Sequence, residues 1–273
     1  MTSEGMDGRE PVAVVTGAAR GIGAAVAARL ADRGLHVALV DLPHDLSAEA
    51  DHTGPWRHSL GTDLDAAAAR CGARGHAHVA DVRDPVALGR VVDEVVAHHG
   101  TIDVVVAAAG SQAGGAPVWE TDDETWRWMI DTNLTGVFNL ARATIPTMLD
   151  APAPRRGRFV AIASAAAHTG LPLLSAYTAA KTGVLGLVRS LAAELGDTGI
   201  TANAVCPGST RGHMLEASAA IYGLARGEDF ADQARIGRLI EPDEIAATIE
   251  WLCLDAPGAL TGEVIDVDGG FRG

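Results

Sequence analysis

Tyr177 and Lys181 stand four residues apart in AYTAAK, a segment with helical character, so their side chains share one helix face. An ammonium beside a phenol favours the phenolate, which predicts a Tyr177 pKa below the ordinary value of about 10. A tyrosine tuned in that way can exchange a proton with substrate near neutral pH. Such a pair also recurs by chance on surfaces, so its meaning rests on the rest of the chain. Upstream lie a polar Ser164 and Asn133, and further upstream a glycine-rich turn at Thr16–Gly23.

The elements around that turn follow a definite order. Pro11–Thr16 is a short β-branched run, GAARGIG follows, AAVAARLADRG reads as an apolar helix, and LHVALVD is a second strand ending at Asp41. Strand, glycine turn, helix, strand and acid form the setting of a dinucleotide site. Gly17 permits the tight turn, Gly21 lets the backbone approach a pyrophosphate, and Gly23 lets helix and strand pack closely. The amides near Gly21, Ile22 and Gly23 then face the phosphates. A carboxylate at Asp41 can accept hydrogen bonds from both ribose hydroxyls of NAD and repels a 2′-phosphate. Arg20 pulls toward the phosphorylated cofactor, but close-range repulsion by Asp41 decides the expectation for NAD.

The spacing is TGxxxGxG, and from Val12 to Gly270 the chain resembles the short-chain dehydrogenase/reductase family. The matches run in order: TGAARGIG at Thr16–Gly23, Asp81-Val82, AAAG at Ala107–Gly110, Asn133, Ser164, Tyr177 to Lys181, Pro207-Gly208, and VDGG at Val267–Gly270. The resemblance implies that Asp81 and Val82 hold the adenine and that Ala109, Gly110, Pro207 and Gly208 line the cofactor. It implies that Ser164 orients the substrate oxygen and Tyr177 carries the proton. Lys181 binds the nicotinamide ribose and lowers the Tyr pKa, and Asn133 holds a water in a proton relay. Two departures stand out. Ala107 and Ala108 occupy positions where the family often has Asn, and Gly212 stands where its PGxxxT places Thr, leaving Thr210 as the candidate near the carboxamide.

Further stretches resemble the mycofactocin-associated branch: an insert after Asp41, Ala113–Trp126, Asn133–Ala143 and Pro207–Leu224. That likeness implies NAD that stays bound and is reoxidised in place by a peptide-derived redox cofactor. An ordinary relative with exchangeable NAD(H) is the alternative.

A chain of 273 residues with 48% hydrophobic content suits one domain, 1–273, with an insert at 42–63 and a substrate lid at 209–238. Short apolar strands alternating with helices predict an α/β fold, a doubly wound parallel sheet covered on both faces. One long helix is expected from Thr121 to Asp150, and another from Ser175 to Gly196. The net charge of −14 disfavours nucleic acid or an anionic membrane as partner. Cys71, Cys206 and Cys253 form neither a disulfide framework nor a zinc pattern, which suits a reducing cytoplasm. MTSEGMDGRE lacks the basic, apolar start of a signal peptide, so a cytoplasmic location is expected. The pairs His76/His78 and His98/His99 have no carboxylate or cysteine companions in the sequence, and no metal is expected.

The function that follows is NAD-dependent oxidation of an apolar secondary alcohol to a ketone. An epimerase using NAD catalytically would carry a longer C-terminal substrate domain. A non-catalytic nucleotide sensor would not need Tyr177 and Lys181. By resemblance the enzyme is a homotetramer, with the two long helices at one interface and the strand near Val264–Asp268 at another.

Overall fold

A computed structural model describes residues 9–42 and 64–272, so all of the expected insert at 42–63 except Leu42 lies outside the described residues. Seven parallel strands form one sheet in the order β3-β2-β1-β4-β5-β6-β7. They are β1 (Val12–Thr16), β2 (His36–Asp41), β3 (Gly75–Val79), β4 (Val104–Ala107), β5 (Arg158–Ile162), β6 (Thr201–Pro207) and β7 (Val264–Val267). The helices are α1 (Gly21–Asp32), α2 (Leu64–Arg70), α3 (Pro85–His99), α4 (Asp123–Ile130), α5 (Gly136–Asp150), α6 (Ser175–Glu194), α7 (His213–Ile221) and α8 (Pro242–Leu254). This is the doubly wound, Rossmann-type fold expected from the alternation of elements.

The absence of polar alternation in the strands has a direct cause. Val12 and Val14 of β1 pack with α3, α5 and α6 on one face, while Ala13 and Val15 pack with α1 and α8 on the other. Both faces are covered, so both sets of alternate positions must be apolar. The order also fixes where a ligand can bind. The chain builds β1, β2 and β3 outward, then returns to place β4 on the opposite side of β1. The loops after β1 and β4 therefore diverge, opening a crevice at the carboxyl ends of the strands.

The expected helix from Thr121 to Asp150 runs without interruption from Asp123, but it is not α-helical throughout. Asp122 caps α4 by accepting from Thr125 N at 2.7 Å, and the helix passes into a π turn at Asp131–Thr135 before α5 begins. Asn133 causes a local competition, because its Nδ2 donates to the Met129 carbonyl at 3.0 Å. A side-chain amide bonding four residues back displaces a backbone amide from that role, and such bulges concentrate at functional sites.

Candidate active site

The turn after β1 is shaped by close approach. Gly17 has φ +66°, and a Cβ there would lie 2.6 Å from Ala109 N. A Cβ on Gly23 would lie 2.1 Å from Gly17 O, so only glycine lets α1 pack against the turn. Gly21, at φ +56°, has nothing within 4 Å of its missing Cβ and opens to the cleft. Arg20 precedes α1 in an extended conformation without a side-chain cap, and the first turn contains no acid. Its leading amides are left to meet an anion, which fits a dinucleotide pyrophosphate.

Asp41 ends β2 beside this turn. Its carboxylate accepts from Ala19 N at 2.9 Å and from Leu42 N at 2.8 Å. These bonds fix the carboxylate at the rim, where an adenosine ribose would lie. Burial lowers the Arg20 pKa, and the Asp41 charge opposes that shift. Asp81 and Val82 also line the cleft. Asp81 is engaged by a neighbour that sequence reasoning did not single out: Arg83 donates to it from its backbone N at 2.8 Å and from Nε at 2.9 Å. The Arg83 guanidinium in turn lies 4.0 Å over the Trp128 ring.

At and beneath the floor of the cleft, four side chains from three parts of the chain converge. Asn133, fully buried, donates from Nδ2 to Ser111 O at 3.0 Å and accepts at Oδ1 from Ser111 N at 3.2 Å. A methyl on Gly110 would lie 3.0 Å from Asn133 Oδ1 and 3.5 Å from Lys181 Nζ. Ser164 follows β5, accepts from Ala166 N at 3.2 Å and hydrogen-bonds to the Tyr177 phenol. Tyr177 and Lys181 sit on the buried face of α6, and Lys181 Nζ donates to Ile162 O at 2.8 Å.

The electrostatics correct the simplest reading of this pair. Burial raises the Tyr177 pKa, with only the Ser164 bond opposing it. Burial also pulls Lys181 down to about 8. The ammonium lies 5.9 Å from the tyrosine ring centroid. Desolvation penalises the charged form of each residue and is the leading cause of both shifts.

A family model described as enoyl-(acyl carrier protein) reductase matches residues 17–272. A cis-4-hydroxycyclohexanecarboxylate dehydrogenase from Sinomonas cyclohexanicum is 36% identical over 268 residues, covering 96% of each chain. The chain belongs to the short-chain dehydrogenase/reductase family. Among solved structures of this family, carveol dehydrogenase from Mycobacterium avium in complex with NAD superposes with a TM-score of 0.85 at 30% identity, covering 96% of this chain and 97% of that one. A variant of actinorhodin polyketide ketoreductase with NADPH gives 0.82 at 32% identity, covering 95% and 96%. This short-chain dehydrogenase/reductase is accordingly an NAD(P)-dependent oxidoreductase.

In this member of the short-chain dehydrogenase/reductase family, the segment after β6 crosses the cleft. Ser218 of α7 donates to Gln112 Oε1 at 2.8 Å, and Tyr222 Oη donates to Pro172 O at 2.7 Å, joining opposite walls. Pro207 and Gly208 line the cleft, and a Cβ on Gly208 would lie 2.6 Å from Asp268 O. Thr210 lines it too, but its hydroxyl donates to Gly208 O at 3.0 Å. The family departure at position 212 has a backbone reason. Gly212 adopts φ +148°, where a threonine would be strained.

Ser111, Gln112 and Trp128 are cleft residues that the motifs did not reveal. Trp128 Nε1 donates to Ser111 Oγ at 2.9 Å. Their only sequence signal is position, two just after Ala107–Gly110 and one on the helix leading into Asn133.

Proposed function

We propose that the enzyme interconverts an apolar secondary alcohol and its ketone, working as an NAD-dependent alcohol dehydrogenase. The observation that carries this reading is a single cleft of about 540 Å³ with Ser164, Tyr177 and Lys181 in its lining and Leu171, Met214, Leu215 and Phe230 along the same walls. A polar reacting end inside an apolar enclosure suits a substrate with one oxygen and a hydrocarbon body.

Tyr177 removes the hydroxyl proton of the alcohol, and Ser164 donates a hydrogen bond to the oxygen as it gains carbonyl character. Bound NAD would supply the acceptor for the hydride that leaves the same carbon. Gly17, Arg20, Gly21, Ile22, Gly23, Asp41, Asp81, Val82, Ala109, Gly110, Pro207, Gly208 and Thr210 would hold that cofactor. Lys181 would bond its ribose and offer a cation to the developing phenolate. Asn133 positions the strand-end backbone at Gly110–Ser111 through its bonds to Ser111. The reverse reaction, ketone reduction, is favoured by the burial that keeps Tyr177 protonated and ready to donate.

NAD is preferred over NADP in this reading because Asp41 is held at the rim by Ala19 N and Leu42 N and cannot turn away from a 2′-phosphate without losing both bonds. Asp41→Ala should weaken the ratio of NAD to NADP affinity by about tenfold, the size of a screened charge repulsion at close range. Titrating both cofactors by fluorescence checks this. A wild type that already favours NADP would refute the role of Asp41.

The mycofactocin-like stretches support the further reading that NAD stays bound and that mycofactocin removes the electrons. Dialysed protein should then still release NAD on denaturation, as read by mass spectrometry. It should oxidise members of a secondary-alcohol panel with an artificial electron acceptor and do so poorly with free NAD. Ready loss of NAD, or fast turnover with free NAD alone, would leave an ordinary exchanging dehydrogenase. No turnover of any alcohol or ketone would reject the activity itself.

A homotetramer is also proposed. Trp119, Trp126 and Phe138 are 79%, 43% and 46% exposed near α4 and α5, more aromatic surface than a monomer gains from leaving open. The apolar side of α6, in contrast, is already used inside the subunit by Val184 and Val188. Light scattering that gives a monomer across micromolar concentrations would remove the proposal.

A further inference from the structure

Three histidines that are scattered in the sequence, His36, His76 and His99, meet at the far end of the sheet from the cleft. His36 is the first residue of β2, and the cleft lies beyond its last. His76 lies on β3 opposite Ala38. Residues two apart on a strand share a face, so His36 and His76 point to the same side, the side that α3 covers. His99 is the last residue of α3, brought to that edge where Gly100 ends the helix with φ +81°. The ring centroids of His36 and His99 lie 4.6 Å apart, and those of His76 and His99 lie 5.4 Å apart.

We propose that His36, His76 and His99 bind one Zn²⁺ ion at this edge. Each offers one ring nitrogen, and the three lie within 4.8 Å of one another. Zn–N bonds of about 2.0–2.1 Å place tetrahedral ligand nitrogens about 3.4 Å apart, within reach of modest ring rotations. Two nitrogens, His36 Nδ1 and His76 Nε2, are buried without a hydrogen-bond partner. Buried polar atoms are ordinarily satisfied, and a metal would satisfy both.

The outer contacts fit the same role. His36 Nε2 lies 2.6 Å from Glu10 Oε2, and Arg74 holds the other Glu10 oxygen at 2.7 Å. Arg74 first, and His36 after it, hold Glu10 down at about 2, so it remains a carboxylate. A carboxylate that takes the Nε2 proton fixes the tautomer in which Nδ1 carries a lone pair, the arrangement common behind metal-bound histidines. Burial, and then the neighbouring imidazoles, lower His76 and bring His99 down to about 4. Three imidazoles leave the fourth position of a tetrahedral ion to solvent. Because the ligands come from β2, β3 and α3, the ion would tie an edge strand to the helix covering it.

The test is a Zn²⁺ titration of chelator-treated whole enzyme by calorimetry. One equivalent should bind, and a hundredfold excess over Kd should raise Tm by about 5 °C or more. The His76→Gln/His99→Gln variant should lose both effects while keeping its dehydrogenase activity, since neither residue lines the cleft. His168→Gln is the control for a second grouping, His168 with Cys206 and Asp266, and should bind as wild type does. Co²⁺ added to wild type should give the intense visible bands of a low-symmetry nitrogen site, which does not depend on any variant folding. Absence of saturable Zn²⁺ binding in wild type, undiminished binding in the double variant, or a pale aqueous Co²⁺ spectrum would each overturn the site.

Discussion

Tyr177→Phe should lower kcat/KM for alcohol oxidation by at least about 10²–10⁴-fold while leaving the cofactor Kd close to wild type. The ring is 5% exposed and packs with Met129, Ala166 and Leu174. Phenylalanine keeps that packing and deletes only the group that exchanges a proton. Loss of the hydroxyl also removes the bond to Ser164, which leaves the serine free to rotate but not to replace a base. The wild-type pH profile follows from the direction of the tyrosine shift. Burial raises its pKa above the ordinary 10.0, so the phenolate fraction, and with it oxidation, should climb with pH through the neutral range. Ketone reduction needs the protonated phenol and should fall only on the alkaline side. Near-normal turnover in the phenylalanine variant, or oxidation that declines as pH rises from 7 to 9, would contradict the assignment.

Lys181→Met should cost at least about a hundredfold in turnover and yet leave the protein as stable as wild type or more so. Lys181 is 4% exposed, and burial is the leading cause of its fall from 10.5 to about 8. Ile162 O, at 2.8 Å, is a neutral partner and does not cancel the charge. Because the folded-state pKa lies below the unfolded one, the unfolded chain binds more protons between pH about 8 and 10.5. Stability contributed by this group therefore rises with pH through that window, and its penalty is fully present below it. Methionine, of similar reach and without charge, removes the penalty and its pH slope together. The activity loss has a separate origin, since the phenolate would form without a nearby cation. The alkaline rise of the oxidation profile should accordingly move to higher pH. Thermal melts at pH 7 and 10 and a pH–rate profile measure the two effects. A strongly destabilised variant, or an unchanged profile, would show that Lys181 acts in another way.

The local parts of this protein could be read from its sequence because local sterics produce them. The turn at Gly17, Gly21 and Gly23 is dictated by positive φ and by a 2.1 Å approach that no Cβ survives. Strand, helix and strand around it place Asp41 at a strand end, and helical spacing alone puts Tyr177 and Lys181 on one face. The parallel sheet follows from central strands that bury apolar side chains on both faces. The π bulge before α5 is partly local too, an asparagine amide competing four residues back, but its acceptor at Ser111 belongs to a loop distant in the chain.

Tertiary structure decided whatever depends on burial or on residues far apart in the chain. Spacing predicts that Lys181 lowers the Tyr177 pKa, and only the depth of both groups shows desolvation prevailing. The sequence offers Asp81 as an adenine partner, and only the folded turn adds Arg83, which donates to its carboxylate. Gly212 is a departure from a motif until its φ of +148° is known. His36, His76 and His99 have no common spacing, and they meet because β2 and β3 pair in one register and α3 ends beside them. A single sequence specifies a residue's neighbours along a strand or helix, whereas dielectric surroundings and convergent ligands arise only when the sheet has assembled.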